Sequence, residues 1–388
     1  MVAKVCGVGY VKALDGYRGL AVLLVMWSHF IAVSPDWGAP AGPVARLLHC
    51  GHYGVDLFFV LSGFLITGIL LDAKGRAGYF KVFIMRRVLR IFPLYYFVLA
   101  VIYGGLWLFH GESAREFSGA DSSLWFWLYA SNWGMVAKGW GTPDGAWLIT
   151  PDWTSLGHFW SLAVEEQFYL FWPWVVVWLD RRWLGRLCVG FFFMAPILQS
   201  LLSDAAGNTL SGYVSTVGRL NTLGMGALLA IAWRSPEWWE PLQRHAGRAF
   251  AATGLLLLAV LGGGWNFSLW KFDLLSALIP ICFGSGLVYA LRPGGNRWQA
   301  LLSTGVMRGL GTYSYGLYVY HHLLKPVWVK VFWDGWITAH CGTGVLAVAC
   351  YIVAAGTASL AVAWLSWTLL ESPCLRLKRH FTYPGSPR

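Results

Sequence analysis

An arginine and a histidine share one apolar stretch near the start of the chain. Arg18 and His29 are eleven residues apart, and the sequence is almost purely apolar from Gly19 to Val33. On an α-helix, eleven residues make three turns plus about 20°, so both side chains project from one face, roughly 16 Å apart along the axis. Ionisable side chains in membrane helices are costly and face the bundle interior or a wet cavity. The pair therefore indicates a functional site, against the plainer reading of a loop anchor and one structural histidine.

Two further arginines suit phosphate binding. Arg87 and Arg90 lie in the segment MRRVLRIFP, and a spacing of three places them on one helix face. Arginine makes permanently charged, bidentate contacts with phosphate. Basic residues also anchor membrane helices on the cytoplasmic side, which fully explains Arg86. Anchoring explains Arg90 less well, because Arg90 lies nearer the apolar run.

Carboxyl groups interrupt a later apolar segment. In FWSLAVEEQFY, the residues Ser161, Glu165 and Tyr169 recur every four positions and form one polar stripe on a helix. Glu166 points about 100° away from that stripe. Because a buried charge needs a partner, we expect Glu165 to meet an arginine or histidine of another helix. A purely structural ion pair is the alternative.

Two more motifs place polar residues in apolar segments. In YSYGLYVYHH, Tyr318 shares a helix face with His321 or His322. In GVDLFFVLSGFLIT, Asp56 lies near one end of an apolar segment and suits positioning better than catalysis. The small residues Ser62 and Gly63 in that segment allow close approach of a neighbouring helix.

These residue types favour one kind of chemistry. The sequence has no P-loop, no GxSxG motif and no metal-ligand spacing, so we expect no metal. A deep histidine suits a general base that acts on a hydroxyl acceptor, while the arginines suit a phosphorylated donor. Glu165 or Asp15 is expected to orient the histidine or an arginine. A covalent intermediate on Ser62 or Ser161 stays open as the alternative.

Composition indicates that these apolar segments lie in a membrane. The chain has 388 residues, of which 57% are hydrophobic and 12% are charged, against about 25% charged in soluble proteins. The net charge of +11 comes from cations between apolar runs, as in membrane proteins, so we expect no nucleic-acid partner. We predict an all-α polytopic membrane protein with about ten transmembrane helices. They fall at roughly 14–34, 52–71, 84–109, 159–180, 186–202, 216–233, 249–264, 270–291, 309–333 and 343–370, with a short interfacial or re-entrant segment at 123–136.

The basic loops predict the orientation. The loop from Lys74 to Arg90 is the most basic of the chain, so it is expected on the cytoplasmic side. If 123–136 does not cross, every later arginine-rich loop also falls inside, and both termini are cytoplasmic. We expect one membrane domain at 1–373, a polar outer loop at 137–158, and a short basic cytoplasmic tail at 374–388 that is disordered. Pairing of Cys50 with Cys341 and formation of a homodimer stay open.

The motifs together resemble a known family. LDGYRGLAVLLVMWSH, GVDLFFVLSGFLIT, MRRVLRIFPLYY, FWSLAVEEQFYLFWP and YSYGLYVYHH are similar, in order, to the motifs of the acyltransferase family 3 membrane proteins. The resemblance covers about residues 12–325, and the ESP sequence at 371–373 is similar to the end of the family's last helix. It implies a bacterial inner-membrane O-acyltransferase that moves acetyl from acetyl-CoA to a hydroxyl of a glycan or a related acceptor, such as a macrolide.

The resemblance also implies roles for individual residues. It makes His29 the catalytic base, paired with Arg18. It assigns Arg87 and Arg90 to the phosphates of the donor, and it matches Glu165 and His321 to further family motifs. His321, Tyr318, Ser161 and Asp56 are expected to contact substrate. Many relatives carry a C-terminal esterase-like domain, which this sequence does not reach, so either the membrane domain or a partner protein is expected to complete transfer. A transporter or flippase for a lipid-linked sugar is the alternative function.

Overall fold

The regular structure of the chain is helical. A computed structural model describes residues 11–33, 42–110, 120–138, 156–205, 209–263 and 268–384. Within these ranges every regular element is a helix, which confirms the predicted all-α class. The predicted outer loop at 137–158 lies almost wholly outside the described residues.

The first half of the chain carries the two motifs with arginine and the motif with Asp56. Its helices are α1 (Lys12–Ile31), α2 (Gly42–His49), a 3₁₀ turn (Cys50–Tyr53), α3 (Gly54–Ala73), α4 (Tyr79–His110), α5 (Ala120–Trp127), α6 (Ser131–Lys138) and α7 (Phe159–Trp178).

The second half adds the histidine motif and the closing helices. They are α8 (Arg181–Ala205), α9 (Thr209–Val214), a 3₁₀ turn (Val217–Arg219), α10 (Leu220–Ala232), α11 (Pro236–Gly262), α12 (Ser268–Ala290), α13 (Arg297–Leu302), α14 (Gly305–Leu323), α15 (Lys325–Trp328), a π-helix (Val329–Ile337), α16 (Thr338–Cys341), α17 (Val345–Ser366), a second π-helix (Trp367–Glu371), α18 (Ser372–Arg376) and a final 3₁₀ turn (Leu377–His380).

Each of the ten predicted crossings overlaps a helix, but these helices differ in length and in hydropathy. Among the described residues, five helical segments are long and apolar enough to cross a membrane: Gly42–Ala73, Tyr79–Gly105, Arg181–Ser203, Pro236–Gly262 and Val345–His380. Val217–Ala232 and Leu274–Ala290 are apolar but shorter. These helices make the chain a multi-pass membrane protein. The count of ten crossings and the side of each terminus stay predictions.

The short segment at 123–136 does not form one continuous helix. The helices α5 and α6 have eight residues each, about 12 Å, and the turn between them contains Tyr129 with φ of 52°. A hydrocarbon core is about 30 Å thick, so neither helix could cross alone. Gln167 of α7 donates to the Tyr129 carbonyl at 2.8 Å and to Asn132 at 2.9 Å. Backbone at membrane depth needs such partners, which supports a re-entrant segment.

Two pairs of helices run parallel in very close contact. In the pair α3–α10, a Cβ on Gly63 would lie 2.1 Å from the carbonyl oxygen of Leu223, and a Cβ on Gly226 would lie 2.0 Å from that of Val60. In the pair α1–α14, a Cβ on Gly311 would lie 1.9 Å from the carbonyl oxygen of Asp15. Glycine is required at these contacts because any side chain would separate the backbones.

A substitution tests the α3–α10 contact. Gly63→Ala should lower the melting temperature of the purified protein, because overpacking of this kind costs about 1–3 kcal/mol. Gly254→Ala in α11 is the matched control, since no described atom outside the surrounding turn of α11 lies within 4 Å of the added Cβ. Thermal unfolding in detergent compares the two variants. Equal melting temperatures would contradict the close packing.

The expectation of a disordered tail is wrong for the residues described. The segment from Ser372 to His380 continues the last long helix as α18 and a 3₁₀ turn. Arg86 of α4 donates to the carbonyl oxygen of Phe381 at 3.0 Å, and Lys378 is buried. The basic composition suggested a solvated tail, but these contacts hold it against α4.

The described cysteines, with Cys50 and Cys341 among them, are free thiols.

Candidate active site

Four histidines meet at one end of α1. The His29 ring centroid lies 5.1 Å from that of His321 and 4.4 Å from that of His322, both on α14. The His158 ring, directly before α7, lies 5.6 Å from His321 and 4.9 Å from His322. The sequence singled out three of these side chains from two separate helices, and the fold joins them into one histidine cluster (His29, His158, His321 and His322).

The hydrogen bonds of the cluster assign its protons. His321 Nδ1 lies 2.9 Å from the carbonyl oxygen of Leu317, which can only accept, so Nδ1 carries the proton. In the neutral ring the His321 Nε2 atom is therefore an acceptor. His29 Nδ1 lies 2.8 Å from that Nε2 atom and must donate to it. Neutral His29 consequently keeps its Nε2 atom unprotonated, which is the form a general base needs.

His158 was not predicted from the sequence. Its Nε2 atom donates to the carbonyl oxygen of Val319 at 3.0 Å, and its buried Nδ1 atom has no hydrogen-bond partner among the described residues. Because His158 precedes the apolar run of α7, it carried no signal of membrane burial. One sequence feature could have pointed to it: His158 lies two residues before Trp160, in the motif that contains Ser161, Glu165 and Glu166.

A cavity of about 110 Å³ extends from three arginines toward this cluster. Its wall comes from α1, α3, α4, α7 and α14, and most of it is aromatic or aliphatic. The polar and charged residues that line it are Arg18, Ser62, Arg87, Arg90, Ser161, Glu165, Glu166, Tyr169, Ser314, Tyr315 and Tyr318. The fold thus brings both arginine motifs and the glutamate motif of the sequence to one space.

Asp15 stands at the arginine end of α1. Its Oδ1 atom lies 3.3 Å from Nη1 of Arg18. Asp15 precedes His29 by fourteen residues, about 21 Å along the helix. Of the two expected roles, orienting an arginine fits this position, whereas direct contact with the histidine does not.

Glu165 faces the arginine cavity between polar neighbours. Its neighbours are Ser62 and Tyr169, with Arg87 and Arg18 as longer-range charge partners. The Arg87 guanidinium lies 5.9 Å from the Tyr169 ring centroid, and its buried Nε atom has no hydrogen-bond partner in the described structure. Glu166 lines the same cavity, although its helical angle suggested a different direction.

Tyr318 connects the cavity with the histidine cluster. Its hydroxyl shares a hydrogen bond with that of Ser161 and donates to the carbonyl oxygen of His158 at 3.0 Å. Ser62 bonds Tyr169 at 2.6 Å. Neither serine hydroxyl contacts a histidine nitrogen, so the covalent alternative lacks an imidazole base beside its nucleophile.

Asp56 does not line the arginine cavity. It forms an ion pair at 2.8 Å with Arg219, on the opposite face of α3. Arg219 belongs to no motif recognised in the sequence and lies 163 positions from its partner, so only the fold could reveal the pair.

Among the described residues, no group of three or more His, Cys, Asp or Glu side chains is arranged to hold a metal ion.

Comparison with known proteins identifies relatives along most of the chain. A family model described as an acyltransferase domain matches residues 11–368. The peptidoglycan O-acetyltransferase OatA of Listeria monocytogenes is 28% identical over 81% of this chain and 49% of its own length. The putative peptidoglycan O-acetyltransferase YrhL of Bacillus subtilis is 30% identical over 81% and 48%, respectively.

A third relative extends the comparison to another genus. A putative O-acetyltransferase of Staphylococcus aureus strain COL is 29% identical over 85% of this chain and 53% of its own length. The chain therefore spans about half the length of the curated relatives it matches. No solved structure matches the chain.

Proposed function

The chain belongs to the acyltransferase 3 family, and from that membership we propose that it moves acetyl from acetyl-CoA to a hydroxyl of a cell-envelope glycan. The family makes the chain an acyltransferase. The glycan acceptor is supported by the names of the peptidoglycan O-acetyltransferases it resembles. A bacterial multi-pass membrane protein follows from the helices and from these relatives, and we infer the cytoplasmic membrane.

One observation carries the proposal. The chain of hydrogen bonds from the Leu317 carbonyl through His321 to His29 leaves the Nε2 atom of neutral His29 free of a proton. That atom accepts the proton of the acceptor hydroxyl. A positioned base of this kind contributes about 10²–10⁴-fold to a rate.

The arginine cavity supports the site of the donor. Arg18, Arg87 and Arg90 bring three positive charges to one buried space, and such charges are favourable beside the phosphates of coenzyme A. The pantetheine arm, in this proposal, follows the cavity from the arginines past Ser161 and Tyr318. The rise from Arg18 to His29, about 16 Å, is comparable with the length of that arm.

The reaction then needs only groups already present. The acceptor oxygen forms a bond with the carbonyl carbon of the acetyl group as its proton moves to His29 Nε2. The carbon–sulfur bond breaks, and the departing thiolate receives that proton from the imidazolium. Proximity of two reactants in one enclosed space supplies a large part of the acceleration. The basic loop before α4 supports a cytoplasmic entrance for the donor.

Turnover with a labelled donor tests this function. The full chain, purified in detergent, is mixed with acetyl-CoA carrying a labelled acetyl group and with a soluble peptidoglycan oligosaccharide. We expect label on the oligosaccharide and release of coenzyme A that depends on the acceptor. Coenzyme A release at the same rate without acceptor, or no label on the oligosaccharide, would contradict the proposal.

Substrate contact was expected of His321 from the sequence, but its side chain is fully buried and its Nε2 atom bonds His29, so its role in this proposal is to position His29. His321→Ala removes the acceptor for His29 Nδ1 and should lower kcat about 10²-fold, the size of effect that misplacement of a catalytic group produces. His321→Gln, whose side-chain oxygen can accept the same hydrogen bond, should recover most of the activity. Equal losses in both variants would contradict the positioning role.

A further inference from the structure

A second cavity lies on the other face of α3. It has a volume of about 190 Å³, and its polar wall includes His52, Tyr53, Asp56, Tyr213 and Arg219. Exposed residues at its rim, His52 among them, open it to the surface. It is separate from the arginine cavity, since the two share no lining residue.

This cavity is at the histidine end of the bundle. The 3₁₀ turn that carries His52 and Tyr53 packs directly on α1, where a Cβ on Gly51 would lie 2.2 Å from the carbonyl oxygen of Leu24 and 3.2 Å from Cβ of Ser28. Ser28 is the immediate neighbour of His29. The turn in the wall of the second cavity therefore packs on α1 next to the proposed base, far along the helix from Arg18.

Its floor is a buried ion pair with unused hydrogen-bonding atoms. Arg219 Nη1 lies 2.8 Å from Asp56 Oδ1, and the two residues are 4% and 1% exposed. Yet Asp56 Oδ2, Arg219 Nε and the Tyr213 hydroxyl, all buried, have no hydrogen-bond partner among the described residues. Buried polar atoms are nearly always paired, and an unpaired one costs about 1–3 kcal/mol.

Gln199, Asn221, Thr222 and Ser276, which also belong to this wall, are already paired. Asn221 donates to the carbonyl oxygen of Ser276 at 2.6 Å, and the Ser276 hydroxyl donates to Gln199 at 3.1 Å. The unpaired atoms are thus concentrated around Arg219, whose guanidinium lies 4.2 Å from the Tyr213 ring centroid. Asp56, Tyr213 and Arg219 all line this cavity, so one carboxylate, one guanidinium and one hydroxyl lie together in its wall.

The charges select the chemical class of the ligand. Asp56 and Arg219 neutralise each other, so neither a cation nor an anion finds a net opposite charge. A sugar hydroxyl can donate to Asp56 Oδ2 and accept from Arg219 Nε or from Tyr213, which satisfies these atoms together. The aromatic rings of His52 and Tyr53, with centroids 4.0 Å apart, offer an apolar face for the carbon–hydrogen side of a sugar ring.

From this geometry we propose that the second cavity binds one sugar residue of the acceptor glycan, next to the residue that is acetylated at His29. The proposal rests on the proposed glycan acetyltransferase function and assigns its acceptor subsite. Asp56 and Arg219 are binding residues in this account, and neither takes part in the proton transfer.

Tyr213→Phe is the sharpest test, because it removes a hydroxyl that has no partner in the described part of the chain. Folding should not suffer from that loss, so the melting temperature should be equal to or above that of the wild type. KM for a soluble β-1,4-linked peptidoglycan oligosaccharide should rise about 3- to 10-fold, the loss of one hydrogen bond. KM for acetyl-CoA and kcat should be unchanged.

Tyr351→Phe is the matched control. Its hydroxyl is also buried and has no partner within the described ranges, but Tyr351 packs between Phe30 and Trp333 and lines neither cavity. It should leave KM for the oligosaccharide unchanged. Arg219→Lys, which keeps the charge opposite Asp56 but removes the Nε donor, should raise KM for the oligosaccharide in the same way as Tyr213→Phe.

Binding without donor separates this inference from the function on which it rests. Titration of the same oligosaccharide into the full-length protein in detergent should give weaker binding to Tyr213→Phe than to wild type. If wild type binds the sugar but transfers no acetyl group, the proposed function fails and the subsite stands. If transfer proceeds with equal KM and equal binding in all variants, the cavity holds water only and the subsite is wrong.

Discussion

His29→Ala is expected to lower kcat for acetyl transfer by about 10²–10⁴-fold, the contribution of a general base. Its Nε2 atom is the only ring nitrogen of His29 left without a proton by the bonds through His321 to the Leu317 carbonyl. The variant should keep its fold and its KM for acetyl-CoA, since Arg18, Arg87 and Arg90 line a different part of the bundle. Initial rates with labelled acetyl-CoA measure both constants.

His340→Ala is the control for loss of an imidazole. His340 is exposed and bonds only to the carbonyl oxygen of Trp336, one helical turn away, at 2.8 Å. It should transfer acetyl at the wild-type rate. If His29→Ala also transferred acetyl at the wild-type rate, His29 would not be the base. The hydrogen bonds from the Leu317 carbonyl through His321 to His29 would then be structural only.

The double variant Arg87→Ala with Arg90→Ala should raise KM for acetyl-CoA by about 10²-fold or more. Each hydrogen bond to a charged group contributes about 1.5–3 kcal/mol, and 1.4 kcal/mol is a factor of ten. The effect should be specific to the donor, because the proposed acceptor subsite lies on the opposite face of α3. Kinetics with each substrate varied in turn separate the two constants.

Arg181→Ala with Arg182→Ala removes the same charge from an exposed position at the start of α8. Its KM for acetyl-CoA should match that of the wild type. Equal weakening in both double variants would mean that general membrane anchoring, rather than donor phosphate binding, accounts for Arg87 and Arg90.

Patterns within single segments could be predicted from the sequence. Arg18 and His29 lie on one continuous helix, α1, as their spacing predicted. Ser161, Glu165 and Tyr169 all line the arginine cavity from α7. Helical periodicity decides such relations, so no tertiary information was needed. The ten apolar runs likewise reappear as helices, because burial in lipid requires hydrogen bonding within each segment.

Contacts between distant segments could not be predicted. His29 bonds His321 across 292 positions, and Asp56 pairs with Arg219 across 163. Those pairings depend on which helices run side by side, and glycine contacts such as that of Gly311 with Asp15 decide this only in three dimensions. The same limit explains the tail, where Phe381 is held by Arg86 although its neighbours are polar and basic.

Vectorial transfer in proteoliposomes tests the central claim most directly. The claim is that the donor binds at the arginine end, the acceptor arrives at the histidine end, and the acetyl group passes between them. The protein is reconstituted in one known orientation with labelled acetyl-CoA on one side and a membrane-impermeant oligosaccharide on the other. We predict label on the oligosaccharide only when the donor is on the side of Arg87 and Arg90 and the acceptor is on the opposite side. Labelling only when donor and acceptor share one side would contradict the account.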